Sequence, residues 1–558
     1  MITTTRISIF LLFVLIANIY CLPPCNNGRF NNDGPLGNFI LSYIDPDFII
    51  VGGGVGGSVA LNECISKGYK CTLIERGYDY YEKPSVSVPS GTTLTYTTDA
   101  IINSESEPIT NMYNKVVTMM EPNVIGGSSS INAEISVFTD VKEFFNELNI
   151  VGWKYEDIFP YYLQVTNSVN RPGYNGNVDV TNTAESDPQY LAFKSAIQQV
   201  FPNIRERLPD MNTASINDSF PGFGPPETTV KSYNLNVGGQ NIVAAGFRES
   251  AYTAYVEPIR SNPNLRVMTK SRVDKVGFDF IGKTAKKVFV TRKNYLGIES
   301  QCELSAKRGI ILSAGALRTP QILLLSGVGP ASELSSLGIR VVKNNPHVGK
   351  NLDDHPTIVT TYIGSLPDSI ISANINGHAY WNYQDDPNLI PNWSIQISGL
   401  YGLPIKNILS VHFNQTSRGS VSLRSTDPAE TPVYNIGHFS DLTDVEPAAL
   451  GLVKSNQIAD NLEYINIAPI SQCPEFLPNC LNNTFDAYKI AYYLNGYSGY
   501  HYTGTCAFNK VVNPCNGKVY GFNNLFIVDA SVFPKAPRGN TQISTYAVSA
   551  KLADMIFN

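Results

Sequence analysis

Residues 47–57 read Asp-Phe-Ile-Ile-Val-Gly-Gly-Gly-Val-Gly-Gly, and no other stretch limits the possible folds so tightly. The apolar run Phe48–Val51 predicts a buried strand that breaks at Gly52, Gly54 and Gly57, and Ser58–Lys67 predicts the helix after it. A second apolar run, Tyr69–Ile74, ends in Glu75, 23 positions after Gly52. A lone glycine-rich turn is common, but strand, glycine turn, helix, strand and acid in this order form a dinucleotide-binding unit. Gly52 permits the tight turn. Gly54 lets the backbone approach a pyrophosphate at the helix N-terminus, and Gly57 lets helix and strand pack closely. Glu75 is then placed for the ribose hydroxyls.

A chain of 558 residues can bury a large core and is expected to form more than one folded body. Hydrophobic content of 43% against 16% charged excludes disorder. The net charge of −6, with no basic run, argues against a nucleic-acid partner.

The first 21 residues read as a secretory signal: Arg6 precedes the apolar stretch Ile7–Tyr20, and Leu22-Pro23-Pro24 ends it. The alternative is an uncleaved anchor. Export is the expected localisation, and sequons beginning at Asn217, Asn392, Asn414 and Asn482 suit it. Among nine cysteines, Cys473 with Cys480 and Cys506 with Cys515 are spaced to close small disulfide loops. Cys64 and Cys71 read as small buried residues of the dinucleotide unit, and Cys25 is a candidate partner for Cys302. None has companions at zinc-ligand spacing, so no metal is expected.

Further along, residues 79–125 read as a long covering loop. Then comes Asn123-Val-Ile-Gly-Gly-Ser-Ser-Ser-Ile-Asn132, whose Gly126 and Gly127 allow a second close backbone approach or simply make a turn. Three more blocks follow: Ser313–Gly329, with strand, glycine turn and helix; Gly349-Lys-Asn-Leu-Asp-Asp-His-Pro356; and, near the end, Tyr500-His-Tyr-Thr-Gly-Thr-Cys506, Leu525-Phe-Ile-Val-Asp-Ala-Ser-Val-Phe-Pro534 and Gly539-Asn-Thr-Gln542. Together with the two glycine loops, these blocks resemble the glucose–methanol–choline (GMC) oxidoreductase family from about residue 45 to the end.

The resemblance implies an α/β fold: a discontinuous Rossmann-like FAD domain and a substrate domain with a large antiparallel sheet covered by helices. The FAD domain would combine 40–138, 235–350 and 515–558, and the substrate domain 139–234 and 351–514. Gly52, Gly54, Gly57, Gly126 and Gly127 would cradle non-covalent FAD, with Glu75 on the ribose. Ser128 and Asn132 would meet the pyrophosphate and flavin side, Val273 the adenine, and Asp529 with Ala530 the ribityl or pyrophosphate portion. Ile131 stands where some relatives attach flavin through a histidine.

His501 and Asn540 fall on the family's active-site pair. Oxidising an alcohol needs a base for the hydroxyl proton as hydride leaves carbon, and a neutral imidazole near pKa of about 6.5 can serve. An amide beside it can hold the alkoxide-like oxygen. The other histidines, His347, His355, His378, His412 and His438, read as packing or surface groups, and Asp353-Asp354 as a solvated turn. The implied reaction is oxidation of an alcohol, apolar or aryl by the aromatic content, with oxygen as acceptor. A dehydrogenase with a quinone or another carrier and a hydroxynitrile lyase with structural FAD are the alternatives. No membrane or protein partner is indicated.

Overall fold

The computed structural model describes residues 45–558 apart from 88–97, 139–140, 169–172, 183–184, 209–211, 213–220, 238–239, 280, 294–296, 364–376, 383, 385, 387–388, 400–404, 463–464, 467–488, 490–492 and 494. The signal segment, Cys25, Cys473, Cys480, Asn217 and Asn482 lie outside the described residues.

The first apolar runs form β1 (Phe48–Val51), α1 (Val55–Ser66) and β2 (Cys71–Ile74). Three distant segments complete the sheet: β3 (Leu265–Met268), β4 (Gly309–Leu312) and β5 (Leu525–Ile527). The order is β3-β2-β1-β4-β5, with every pairing parallel, as in a doubly wound fold. All four residues of β1, of β2 and of β4 are buried, which is why these strands are continuously apolar rather than alternating. After β4 comes α2 (Gly315–Leu325), and the C-terminal α3 (Gln542–Phe557) packs along α1.

Cys64 of α1 and Cys71 of β2 are joined as a disulfide with Cα atoms 6.6 Å apart, a correction to their reading as separate thiols. The helix returns its end to the start of the next strand, which brings the pair within bonding reach. The expected Cys506–Cys515 link is absent. Cys506 is a buried free thiol and Cys515 an exposed one. The Cys506 amide donates to Ser531 O, which fixes it inside the fold, whereas Cys515 occupies a surface turn. Cys302 is disulfide-bonded.

A second sheet has eight strands. Its main path runs 465–466, 356–363, 405–412, 393–399, 377–381, 222–224, 205–206, and 497–498 joins beside 356–357. Its pairings are antiparallel except the last, between 222–224 and 205–206. Strand alternation divides it into two faces. Ile395, Ile397, Ile408 and Trp393 point to a core completed by Phe193 and Ile197 of helix Pro188–Val200 and by Ile458 of helix Val445–Asn461. The other face carries Gln396, Leu409 and Val359 and floors a cavity. Residues 419–422 form the middle strand of a separate three-stranded sheet, between 350–352 and 433–435. The covering segment 79–125 includes a hairpin of strands 101–105 and 118–122.

The second glycine loop is pinned from behind. Arg248, fully buried, pairs with the equally buried Glu134 at 3.1 Å and donates to Asn132 O at 2.8 Å and Val86 O at 2.9 Å. Multiple hydrogen bonds are what make a buried ion pair tolerable.

Close packing at the first loop leaves no room for a side chain. Gly52 has φ of 101°, and a Cβ on Gly57 would stand 1.9 Å from the Gly52 carbonyl oxygen. Backbone cannot yield there as a flexible side chain could. Gly57→Ala is therefore expected to cost roughly 1–3 kcal/mol of stability and to lower FAD content. Denaturant unfolding with flavin absorbance checks this, and an unchanged midpoint with full FAD would contradict it.

Candidate active site

One cavity of about 980 Å³ runs from the first glycine loop, past the second, to the floor of the eight-stranded sheet. Gly52, Gly54, Glu75, Gly127, Ser128, Asn132, Val273, Asp529, Ala530, His501 and Asn540 all line it. Gly57 and Gly126 stand behind the wall. Gly57 sets the packing of α1, and Gly126, with φ of 91°, turns the second loop.

At one end, Gly54, Val55 and Gly56 present the N-terminus of α1, where backbone amides and the helix dipole favour an anion. The two glycine loops abut: a Cβ on Gly127 would lie 2.7 Å from the Gly54 Cα. A cradle this close to bare backbone fits a pyrophosphate. Glu75 accepts from Gly53 N at 2.8 Å and Gly77 N at 2.7 Å, one on each carboxylate oxygen. Burial raises its pKa while these amides oppose the rise. Each oxygen keeps a second lone pair for a hydroxyl donor. Val273 sits at a register shift in its strand, and the resulting bulge faces the cavity. Asp529 is turned to its own fold. Its Oδ2 accepts from Gly315 N at 2.9 Å and Thr319 Oγ1 at 2.6 Å, and its Oδ1 from Ser531 N at 2.8 Å. It thereby anchors the start of α2 and the Ala530 turn.

The sequence reading missed a charged cluster on this wall. Glu121 takes Arg318 through both oxygens, at 2.6 and 2.8 Å, Arg76 at 3.1 Å and the Tyr434 hydroxyl at 2.9 Å. Burial opposes ionisation, but the two guanidiniums hold the Glu121 carboxyl down at about 2. Arg76 follows Glu75 directly, and that adjacency was the available signal.

At the other end, two segments run antiparallel. Thr357 pairs with Tyr497, Gly499 N donates to His355 O at 2.9 Å, and Asp353 and Thr503 exchange backbone hydrogen bonds at 2.9 and 3.1 Å. His501 lies between these pairings. Its backbone N donates to Asp354 Oδ1 at 2.7 Å, its Nδ1 is 2.8 Å from His355 Nδ1, and its Nε2 is 3.2 Å from Asn540 Nδ2. Asn540 comes from the turn before α3, so residues far apart in sequence meet. Burial lowers the His501 pKa to about 4, against the opposing pull of Asp354.

Several residues differ from their sequence reading. Asp353 and Asp354 are each only 2% exposed and form no solvated turn. Asp353 accepts from Ala536 N at 2.8 Å and pairs with Arg418 at 3.2 Å, and burial pushes it up to about 6. Asp354 Oδ2 meets His438 Nε2 at 3.1 Å. His355, His378, His412 and His438 are buried around the site, while His347 is exposed. The Asp-Asp-His-Pro block carried the signal, but its pairing with His501 spans 146 positions.

The GMC oxidoreductase pattern matches residues 46–357 with its N-terminal part and 415–549 with its C-terminal part. A GMC-type oxidoreductase of Acanthamoeba polyphaga mimivirus is 62% identical over 99% of both chains. An oxygen-dependent choline dehydrogenase of Brucella anthropi is 25% identical, covering 92% of this chain and 96% of its own. The crystal structure of pyridoxine 4-oxidase from Mesorbium loti superposes with a TM-score of 0.77 at 20% identity, over 91% of this chain and 98% of that one, a likeness of fold. With the family pattern spread over most of its length and a dinucleotide cradle opening onto a histidine and an amide, this chain belongs to the GMC oxidoreductases and takes FAD as its cofactor.

Proposed function

We propose that this protein oxidises the CH–OH group of a neutral alcohol to a carbonyl, with His501 as base and Asn540 as the group that holds the reacting oxygen. The juxtaposition of His501 Nε2 and Asn540 Nδ2 at the floor end of the cavity carries this reading. FAD supplies the hydride acceptor when bound across the two glycine loops, and Gly52, Gly54, Glu75, Gly127, Ser128 and Val273 are the residues proposed to hold it. Asn132, which accepts from Arg248 Nη1 at 3.0 Å, fixes the second loop. Ile131 offers no nucleophile, so FAD is bound without a covalent link.

The alcohol loses two electrons and two protons' worth of hydrogen, one as hydride and one as the proton that His501 receives. Asn540 donates to the oxygen while negative charge develops on it. Among the described residues, the floor near His501 offers Thr357, Gln396, Val359, Leu409 and Val411 and no carboxylate to balance a cationic substrate. A neutral alcohol with an apolar or aryl body suits that lining. Oxygen is the proposed acceptor, reduced to hydrogen peroxide, and the choline dehydrogenase of Brucella anthropi is named as oxygen-dependent. Export belongs to the same proposal, supported by the signal-like residues 1–21 and the disulfide-bonded Cys64, Cys71 and Cys302.

Anaerobic mixing with a panel of neutral alcohols and choline tests the reaction. Neutral alcohols should bleach the oxidised flavin band, and admitted air should restore it with peroxide. Bleaching that air does not reverse would favour another carrier. No bleaching by any alcohol would refute oxidation and favour a non-redox use of the site.

Two further outcomes follow from the geometry. His501→Ala should slow flavin reduction by about 10²–10⁴-fold with FAD retained, and Asn540→Ala by about 10–10³-fold. Stopped-flow reduction measures both, and a wild-type rate in His501→Ala would place the base elsewhere. A base with a lowered pKa keeps its lone pair to lower pH. The reduction rate should therefore stay level through the neutral range and fall only as pH drops toward about 4. A fall centred near the ordinary histidine value of about 6.5 would contradict that.

A further inference from the structure

The direction of each hydrogen bond decides which imidazole nitrogen carries the proton, and an amide on one side of His501 sets that direction while an imidazole on the other answers it. On one side, Gln396 lies opposite His378 in the pairing of strands 377–381 and 393–399. Its Nε2 is 3.3 Å from His378 Nε2 and donates to Asn540 Oδ1 at 3.1 Å. An amide nitrogen has two hydrogens and accepts nothing, so His378 Nε2 is the bare acceptor of one and Asn540 Oδ1 takes the other. With its oxygen engaged, Asn540 turns Nδ2 toward His501 Nε2, 3.2 Å away. That nitrogen must then be unprotonated, and the ring proton sits on Nδ1. On the other side, His355 Nδ1 lies 2.8 Å from His501 Nδ1, and with the His501 proton on Nδ1 it is left as the acceptor.

Burial keeps both partners uncharged. His378 is 1% exposed and His355 fully buried. Desolvation pushes His378 down to about 3 and His355 well below the usual histidine range, so each ring is neutral and has one bare nitrogen able to accept. The reverse direction would place a proton on His501 Nε2, leaving a donor where the reaction needs a base.

We infer that Gln396 and His355 are positioning residues: acting through Asn540 and directly on the far ring nitrogen, they hold His501 in the tautomer whose Nε2 carries the lone pair, which accepts from Asn540 at rest and takes the alcohol proton once substrate replaces that contact. The inference gives the base of the proposed reaction its readiness, so it rests on that reading for its purpose. The tautomer itself is a property of the protein and can be observed without substrate.

The chain has only six histidines, so ¹⁵N-histidine spectra of the FAD-loaded protein can be assigned by single substitutions. Wild type should show His501 protonated on Nδ1 and bare on Nε2. Gln396→Glu offers only acceptor oxygens, so Asn540 should turn its Nδ2 away from His501 and the His501 proton should move to Nε2. His355→Leu removes the Nδ1 partner and should shift the proton the same way. His355→Gln, whose Oε1 can accept, should restore the wild-type pattern. FAD absorbance and thermal midpoint show which variants are folded. If His355→Leu does not load FAD, Gln396→Glu and His355→Gln decide the matter. A protonated Nε2 in wild type would overturn the inference, as would an unmoved proton in folded Gln396→Glu. If the spectra behave as stated but no alcohol bleaches the flavin, the positioning stands and the proposed reaction falls.

Discussion

The antiparallel clasp between residues 353–357 and 497–503 is the constraint on which the site depends. It is made by backbone hydrogen bonds at Asp353–Thr503 and Gly499–His355 and by the strand pairing of Thr357 with Tyr497. Between these bonds the chain must pass His501, with Tyr500 forced into the left-handed region at φ of 58°. That strain is held because bonds on both sides over-determine the path. The result is an imidazole whose backbone, Nδ1 and Nε2 are each fixed by a different group: Asp354, His355 and Asn540. A side chain so restrained has few positions to sample before it reaches reactive geometry.

The opposite end is built on a different principle. There the important surface is backbone, brought close by the absence of side chains, and the work falls to groups behind the wall. Arg248 binds carbonyls of Val86 and Asn132 and the Glu134 carboxylate, so the second loop keeps its shape against the first. Asp529 does the equivalent for Gly315 and Ser531. The same carboxylate therefore serves the cavity by fixing its wall, a role the motif alone did not distinguish from direct contact. Arg318 on α2 reaches back to Glu121 on the hairpin, tying the covering segment to the parallel sheet.

What was legible in the sequence was local or motif-bound. Phe48–Glu75 could be read because strand, turn, helix and acid follow one another within a short stretch, and β1, α1 and β2 appear there. Helix α1 begins at Val55 rather than Ser58, because the glycine loop already runs into its first turn. The partners of the buried histidines were hidden for a matching reason. His378 meets Gln396 across two strands, and His355 meets His501 across 146 positions, so neither has a nearby partner in sequence. Adjacent aspartates resemble a solvated turn until Arg418, Gln415 and the Ala536 amide close over Asp353. Cysteine spacing misled in both directions. Cys506 and Cys515 are nearly as close in sequence as Cys64 and Cys71, yet only the latter pair is brought together by a helix that folds back on its strand.

Burial of so many neutral imidazoles has an electrostatic consequence for the chemistry. Taking up a proton turns His501 into a cation in a site whose burial disfavours charge. In the proposed oxidation a base that weak would hold little free alkoxide, so proton transfer would advance together with the departure of hydride. The buried Asp354 carboxylate, bonded to the His501 backbone N–H, opposes the lowering by burial and would ease that moment. It also meets His438, which limits how far its charge is left unshared. Asn540 contributes from the other side without adding charge. Burial thus favours a neutral His501 at rest, and in the proposed reaction an imidazolium would be tolerated only while substrate is reacting.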